Sequence, residues 1–148
     1  MTVNPQSRPS FGRALGETAR LIGKLHRRAL ADLDSDFPTQ MLLTLLKEKD
    51  VPLPIDEVAK ELDQRMDLAE ADTLRVLERA AAAGHVAYRP ENSPATAELT
   101  EAGDDHFATV YAHSRKVTDA AFEGIDPAEL NAALTVLLAA KERAAALA

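Results

Sequence analysis

The chain has 148 residues, of which 46% are hydrophobic and only 4% aromatic, so we expect one domain with an aliphatic core. It contains no cysteine, which excludes disulfide scaffolds, thiol catalysis, cysteine-ligated zinc and iron–sulfur clusters. No apolar run reaches the roughly 20 residues of a membrane-spanning helix, and the first residues do not resemble a secretory signal. We therefore expect a cytoplasmic protein without a membrane partner.

The net charge of -7 conceals an uneven distribution along the chain. Residues 1–30 carry six basic groups and one acidic group, whereas residues 31–148 carry 11 basic and 23 acidic groups. This asymmetry indicates either an anion-binding surface or a basic segment that folds against the acidic remainder.

The N-terminal half begins with an expected flexible tail, residues 1–9, before a single domain at 10–148. Ser10 is the expected cap of a first helix that runs to about Leu33. Helical spacing places its apolar residues on one side, namely Phe11, Leu15, Ile22, Leu25, Ala29 and Leu33. The opposite side is a cationic face formed by Arg13, Arg20, Lys24, Arg27 and Arg28. Thr39 is the expected cap of a second helix over 40–49, buried through Met41, Leu42, Leu45 and Leu46.

The second half continues with an extended connector at 51–54, because each proline disfavours helix in the residue before it. A helix over 55–62, a turn at 63–68 and a helix over 69–83 follow, the last ending at Gly84. Leu74, Leu77 and Ala81 are its expected buried positions. Residues 85–89 and 95–99 are the two strands of a predicted hairpin. A helix capped by Thr100 runs to about residue 122, and Asp126, Pro127 and Glu129 are typical of the start of the last helix.

A short helix, a turn, a second helix and a two-stranded hairpin, here residues 55–99, are the parts of a winged helix-turn-helix. The segments that carry the likeness are Val58-Ala59-Lys60-Glu61-Leu62, Arg75-Val76-Leu77-Glu78-Arg79, Gly84-His85-Val86, Leu99-Thr100-Glu101-Ala102-Gly103 and Asp126-Pro127-Ala128-Glu129-Leu130. In this order and spacing the chain resembles MarR-type (multiple antibiotic resistance) transcriptional regulators over roughly residues 10–146. The resemblance implies a mainly α fold with a small β-hairpin wing, flanked by dimerisation helices at 10–33 and 100–148.

The resemblance also implies a homodimer that binds double-stranded DNA and a cleft that takes a small aromatic or acidic effector. The first hypothesis is therefore a dimeric, ligand-responsive DNA-binding transcriptional regulator. Its expected DNA contacts in the head are Arg65, Thr73, Arg75, Arg79 and Arg89. The cationic face offers candidate contacts to the DNA backbone, which are Arg20, Lys24 and Arg27.

The charge of the head motivates an alternative. Glu70, Ala71 and Asp72 occupy positions that are usually small polar or basic in the family, and the turn at 63–68 is about four residues longer than the common pattern. The wing tip at 91–96 has no basic residue, and residues 55–90 carry five basic and eight acidic groups. Since phosphate neutralisation dominates DNA affinity, the alternative is a winged-helix protein whose acidic head binds a protein partner and has weak or no DNA binding.

Other candidate chemistry is limited. The residues placed in a candidate ligand pocket are His26, Phe37, Met41, Phe107, Tyr111 and Arg115, although scattered aromatic residues of this kind more often belong to a core. Of these, His26 and Arg115 are the candidate carboxylate anchors. His106 and His113 are seven residues apart rather than on adjacent turns, so no metal site is predicted. Neither a glycine-rich phosphate loop nor a nucleophile elbow is present, so we expect no catalytic residues, no cofactor and no enzyme activity.

Overall fold

The computed structural model describes residues 8–148, so most of the expected tail at 1–9 lies outside the described residues. The α-helices are α1 (Phe11–Ala31), α2 (Phe37–Lys49), α3 (Ile55–Met66), α4 (Glu70–Ala82), α5 (Glu101–Asp119) and α6 (Pro127–Leu147). The strands are β1 (Leu53–Pro54), β2 (Val86–Arg89) and β3 (Thr96–Leu99), and a 3-10 turn spans Ala120–Phe122. The order of helices and the hairpin match the winged-helix prediction. Within the described residues, no helix is both long and apolar enough to cross a membrane.

The chain divides into two compact units, one ending at Thr118 and one comprising Asp119–Ala148. The core of the first unit is built from α2, α3, α4 and the sheet, and its fully buried side chains include Leu42, Leu45, Val58, Leu62 and Leu77. The second unit contains α6, whose first turn is capped by Asp126 accepting a hydrogen bond from the Ala128 N–H.

Local capping signals set most helix boundaries. Ser10 Oγ accepts a hydrogen bond from the Arg13 N–H, as expected for the cap of α1. Gly84, two residues after the end of α4, has a φ of 82°, a backbone conformation that residues with a Cβ atom rarely adopt. Thr100 Oγ1 accepts from the Gly103 N–H at the start of α5. These three expectations are confirmed.

The expected start of α2 is wrong. Asp36 rather than Thr39 is the cap, since Asp36 Oδ1 accepts the Thr39 N–H at 2.9 Å. Pro38 therefore lies inside the first turn, where its missing N–H costs no hydrogen bond. The helix gains Phe37, whose ring contacts that of His26 on α1.

The expected turn at 63–68 is also wrong, because α3 continues to Met66. Asp63, Gln64 and Arg65 of the extra turn are polar and exposed, and only the partly buried Met66, four residues after Leu62, continues the apolar face. Asp67 then ends the helix in the left-handed conformation with a φ of 53°. The link between α3 and α4 is therefore short, and the unusually long turn expected from the sequence is absent from this region.

The buried face of α4 agrees with the expected one only at Leu77. Leu74 and Ala81, the other two expected positions, are only partly buried. Thr73, Val76 and Ala80 are buried with Leu77, at the spacing i, i+3, i+4, i+7. Thr73 was not expected there because its side chain is polar.

The predicted hairpin is confirmed, with β2 and β3 antiparallel and Val86 opposite Leu99. The residues expected to form a plain connector contribute a further strand, because β1 pairs with β3 through Leu53 opposite Ala97. The sheet is thus three-stranded with β3 in the centre. Pro54 is tolerated because β1 is an edge strand.

Candidate nucleic-acid interface and ligand cavity

The second helix of the head, α4, presents mixed charge to solvent. Its buried residues pack on α2 and α3, which leaves Arg75 and Arg79 exposed one turn apart. Glu70 and Asp72 lie in its first turn, where negative charge favours the helix dipole. The candidate DNA-reading surface therefore combines two arginines with acidic groups.

Each expected arginine contact on α3 and α4 forms an ion pair within the chain. Arg65 pairs with Glu48 at 2.8 Å and with Glu61 at 3.2 Å. The hydrogen bond that Arg65 donates to the Glu48 carboxylate is the main reason that the pKa of Arg65 is raised.

The two arginines of α4 are also paired. Arg75 pairs with Asp72 on the same helix, and Arg79 pairs with Asp36 at the start of α2 at 3.2 Å. Both arginine side chains remain more than half exposed, so each pair contributes at most about 1 kcal/mol. Phosphate oxygens therefore compete with carboxylates for these guanidinium groups.

The other expected contacts of the head differ in accessibility. Thr73 is only 1% exposed and its hydroxyl is enclosed, so the expectation that it contacts DNA is wrong. Its place on the buried face of α4 explains the error. Arg89 ends β2 beside the loop at the wing tip and is exposed, and among residues 8–148 it forms no ion pair.

The cationic face of α1 is exposed along Arg20, Lys24, Arg27 and Arg28. Arg13 pairs with Glu17 on the same helix. Asp104, an acidic residue of α5, pairs with Lys47 at 2.7 Å rather than with this face. Within the part of the chain that the structure describes, no ion pair neutralises the four remaining cations.

A cavity of about 200 Å³ lies between α1, α2 and α5, and we call it the effector cavity. It is lined by His26, Phe37, Gln40, Met41, Thr44, Tyr111, Ser114, Arg115 and Thr118. Five of the six residues expected in a ligand pocket are thus brought together. The exception is Phe107, which stacks on Tyr111 with a ring-centroid distance of 5.7 Å and packs against the core.

The two expected carboxylate anchors of the cavity are not equivalent. His26 contacts the edge of Phe37, with 5.7 Å between ring centroids. Burial, assisted by nearby Arg27, lowers the pKa of His26, so its imidazole is neutral at neutral pH. Arg115 donates a hydrogen bond to the Tyr111 hydroxyl at 3.1 Å and lies 5.8 Å from the centre of that ring.

Sequence reasoning missed four polar residues of the effector cavity, which are Gln40, Thr44, Ser114 and Thr118. Of these, Gln40 and Ser114 are each 6% exposed. Neither amide atom of Gln40 has a hydrogen-bond partner within the described chain. The sequence signal that could have identified Gln40 is its helical spacing with Leu43 and Thr44, which places its polar side chain beside residues that face the protein interior.

The histidines form separate pairs. His85 and His106 stack with 4.2 Å between ring centroids, whereas His113 Nε2 lies 3.1 Å from Asp32 Oδ2. His106 and His113 therefore face different partners. Among residues 8–148, no group of three or more acidic or histidine side chains is arranged to hold a metal ion.

Solved structures share this fold. A MarR family protein from Bacillus stearothermophilus has 18% identity and a TM-score of 0.75, covering 97% of this chain and 99% of its own. The chain has the MarR-type winged-helix fold. A second MarR-family regulator, from Rhodococcus sp. RHA1, has a TM-score of 0.73 at 17% identity, with 92% of this chain and 95% of its own covered.

A third structure of this MarR-type fold, BpsR from Bordetella bronchiseptica, has a TM-score of 0.69 at 17% identity and covers 95% of this chain and 98% of its own. Its description concerns regulation of DNA binding by 6-hydroxynicotinic acid. The Rhodococcus neighbour is described as a transcriptional regulator, the class of protein that the sequence analysis expects for this chain. No protein-family model matches the chain, and no curated protein sequence matches it.

Proposed function

We propose that this protein is a homodimeric DNA-binding transcriptional regulator of the cytoplasm, organised as a single winged-helix domain at 10–148. The observation that carries the proposal is the arrangement of α3, α4 and the β2–β3 wing, with Arg75 and Arg79 exposed on α4. In helix-turn-helix proteins the second helix lies in the major groove. The shared fold of solved transcriptional regulators supports this reading of α4.

Exposed apolar side chains support the homodimer. On α1, Phe11 is 64% exposed and Leu15 is 41% exposed. On α6, Leu134 and Leu138 are both more than half exposed. Apolar faces of this kind are costly in water, and a second copy of the chain is the partner that is always present. Sedimentation at equilibrium should give the mass of two chains.

The DNA-binding proposal is tested with the DNA upstream of the protein's own coding sequence, at low salt, by fluorescence anisotropy. Arg75→Ala should weaken specific binding by about 1–3 kcal/mol if Arg75 reads a base. Arg143→Ala, on exposed α6, is the matched control and should bind like the wild type. Equal DNA affinity of Arg75→Ala and the wild type would show that Arg75 does not contact a base.

The cationic face supplies a second, independent test. We propose that Arg20, Lys24 and Arg27 contact the DNA backbone and supply charge that the acidic head lacks. Replacing all three with alanine should reduce the slope of log affinity against log salt by up to about 0.9 for each phosphate that is no longer neutralised. An unchanged slope would show that these three side chains do not neutralise DNA phosphates.

A second candidate function rests on the ion pairs of the head. Arg65, Arg75 and Arg79 are each paired with a carboxylate. In this alternative the acidic head binds a protein partner, and the chain itself binds DNA weakly or not at all. Failure to bind the upstream DNA even at low salt, by a folded dimer, would favour this alternative over the first.

We propose that the effector cavity takes a small aromatic or acidic ligand that weakens DNA binding. The support is its apolar and aromatic lining with a few polar side chains, a composition common in ligand sites. The ligand named for the Bordetella neighbour, 6-hydroxynicotinic acid, is a single ring that carries an acid. Release of bound DNA by single-ring aromatic acids, followed by anisotropy, tests the proposal.

A further inference from the structure

The carboxylate of Asp36 joins the start of α2 to α4. Its Oδ1 atom accepts the Thr39 N–H at 2.9 Å, which caps α2, and its Oδ2 atom lies 3.2 Å from Nη2 of Arg79. Burial raises the pKa of Asp36, but the hydrogen bond from Thr39 and the charge of Arg79 lower this pKa by more. Asp36 is therefore charged at neutral pH, and each of its two oxygens has a separate partner.

The ion pair between Asp36 and Arg79 is better organised than most pairs on a protein surface. An ordinary surface pair is weak partly because two mobile side chains must be held together. The capping hydrogen bond already fixes the Asp36 side chain, and the next residue, Phe37, has its ring against that of His26 on α1. The loss of freedom on pairing therefore falls mainly on Arg79, whose side chain is 62% exposed.

Arg79 also lines an open groove of about 600 Å³ along α4. The charged residues of its lining are Asp72, Arg75, Glu78 and Arg79, two acidic and two basic, so their formal charges cancel. Asp36 does not line this groove but adds a negative charge beside Arg79. Since phosphate neutralisation dominates DNA affinity, Asp36 decides whether the groove presents a neutral or a negative surface to a phosphate.

We propose that Asp36 is an autoinhibitory residue, which competes with DNA phosphates for Arg79 and thereby lowers the DNA affinity of α4. Arg79 forms a full ion pair with a phosphate only when it leaves the Asp36 carboxylate. The pair of Arg75 with Asp72 differs, because both residues lie on α4 and move with it. Asp36 belongs to the start of α2, so the packing of α2 on α4 sets the strength of the competition. The inference rests on the proposed DNA-binding function and adds a contact that regulates it.

The test uses Asp36→Asn, because asparagine caps a helix as well as aspartate does but carries no charge. Its affinity for the upstream DNA is measured on the full-length protein by fluorescence anisotropy over a range of salt concentrations. Asp36→Asn should bind about three- to fivefold more tightly than the wild type. The slope of log affinity against log salt should become steeper by up to about 0.9, since one more phosphate is neutralised. A purely structural role of Asp36 would leave this slope unchanged.

Two further variants separate release of Arg79 from the loss of one negative charge. Asp34→Asn is the matched control, because Asp34 and Asp36 line the same cavity beside Arg79 but Arg79 pairs with Asp36. This control should change DNA affinity by less than about twofold. In an Arg79→Ala background, Asp36→Asn should increase affinity no more than Asp34→Asn does. Circular dichroism melting curves confirm that each variant is folded.

Equal or weaker DNA binding by folded Asp36→Asn would overturn the inference, and so would an undiminished gain in the Arg79→Ala background. Binding by Asp36→Asn under conditions in which the wild type does not bind would support the inference and refute DNA binding by the wild type. The absence of DNA binding by both proteins would refute both proposals. DNA binding by the wild type that does not depend on Asp36 would refute only this one.

Discussion

Gly103 lies in the first turn of α5, where that helix meets the base of the wing. A Cβ atom added at Gly103 would be 1.9 Å from the His85 carbonyl oxygen, 2.8 Å from the His85 carbonyl carbon and 2.9 Å from Leu99 Cδ1. The nearest obstacle is backbone, which cannot rotate away as a flexible side chain would. Substitution by alanine therefore forces the start of α5 and the segment before β2 apart.

The size of the effect follows from the interactions that this separation breaks. The Cβ–oxygen distance must increase from 1.9 Å to the 3.4 Å at which ordinary contact begins. The hydrogen bond from the Thr100 N–H to the His85 carbonyl, at 3.1 Å, and that from Thr100 Oγ1 to the Gly84 carbonyl, at 2.7 Å, both span the same junction. Overpacking costs about 1–3 kcal/mol and each broken hydrogen bond about 1 kcal/mol, against roughly 1 kcal/mol regained from helix propensity. We expect Gly103→Ala to destabilise the protein by about 3 kcal/mol.

Urea unfolding followed by circular dichroism, at one fixed protein concentration, measures this loss of stability. Gly16→Ala is the matched control, because Gly16 lies within α1 and an added Cβ meets nothing within 4 Å. That control should gain about 0.5–1 kcal/mol from helix propensity. A Gly103→Ala protein as stable as the wild type would refute the assignment of Gly103 as a close-contact position between α5 and the wing.

Three further outcomes follow from the described contacts. Gln40→Met should raise the free energy of unfolding by about 1 kcal/mol, because it removes an unpaired buried amide, and a loss of stability would contradict that reason. Asp72→Asn should strengthen DNA binding about threefold or more by freeing Arg75 and removing a negative charge, whereas weaker binding would indicate that Asp72 itself accepts from a cytosine amino group. Burial and the neighbouring His85 lower the pKa of His106, so the unfolded chain binds its proton more readily. Stability should accordingly be complete above a pH of about 6.5 and fall as the pH decreases below it, and denaturant titrations of His106→Gln should show a weaker decline.

Local chemistry accounts for the features of this fold that the sequence predicts well. The Ser10 cap, the left-handed Gly84 and the Asp126-Pro127 helix start depend on hydrogen bonds and backbone angles within a few residues. The order of helices and the paired strands follow from the same signals. Their arrangement as a winged helix rests on that order, and most of the cavity residues followed from resemblance to the family.

Tertiary packing decided the features that the sequence left open or placed wrongly. The last turn of α3 is mostly polar, with Met66 as its one partly buried apolar residue, and Thr73 is buried because α4 packs on that face. The pairing of Arg79 with Asp36 and of Arg65 with Glu48 joins residues distant in sequence, so their accessibility to DNA depends on how α2 contacts α3 and α4. Gln40 acquires its unpaired, enclosed amide in the same way, because α1 and α5 close over α2. Interactions between residues a few positions apart can be predicted from the sequence alone. Burial and charge pairing between helices exist only once the helices have packed.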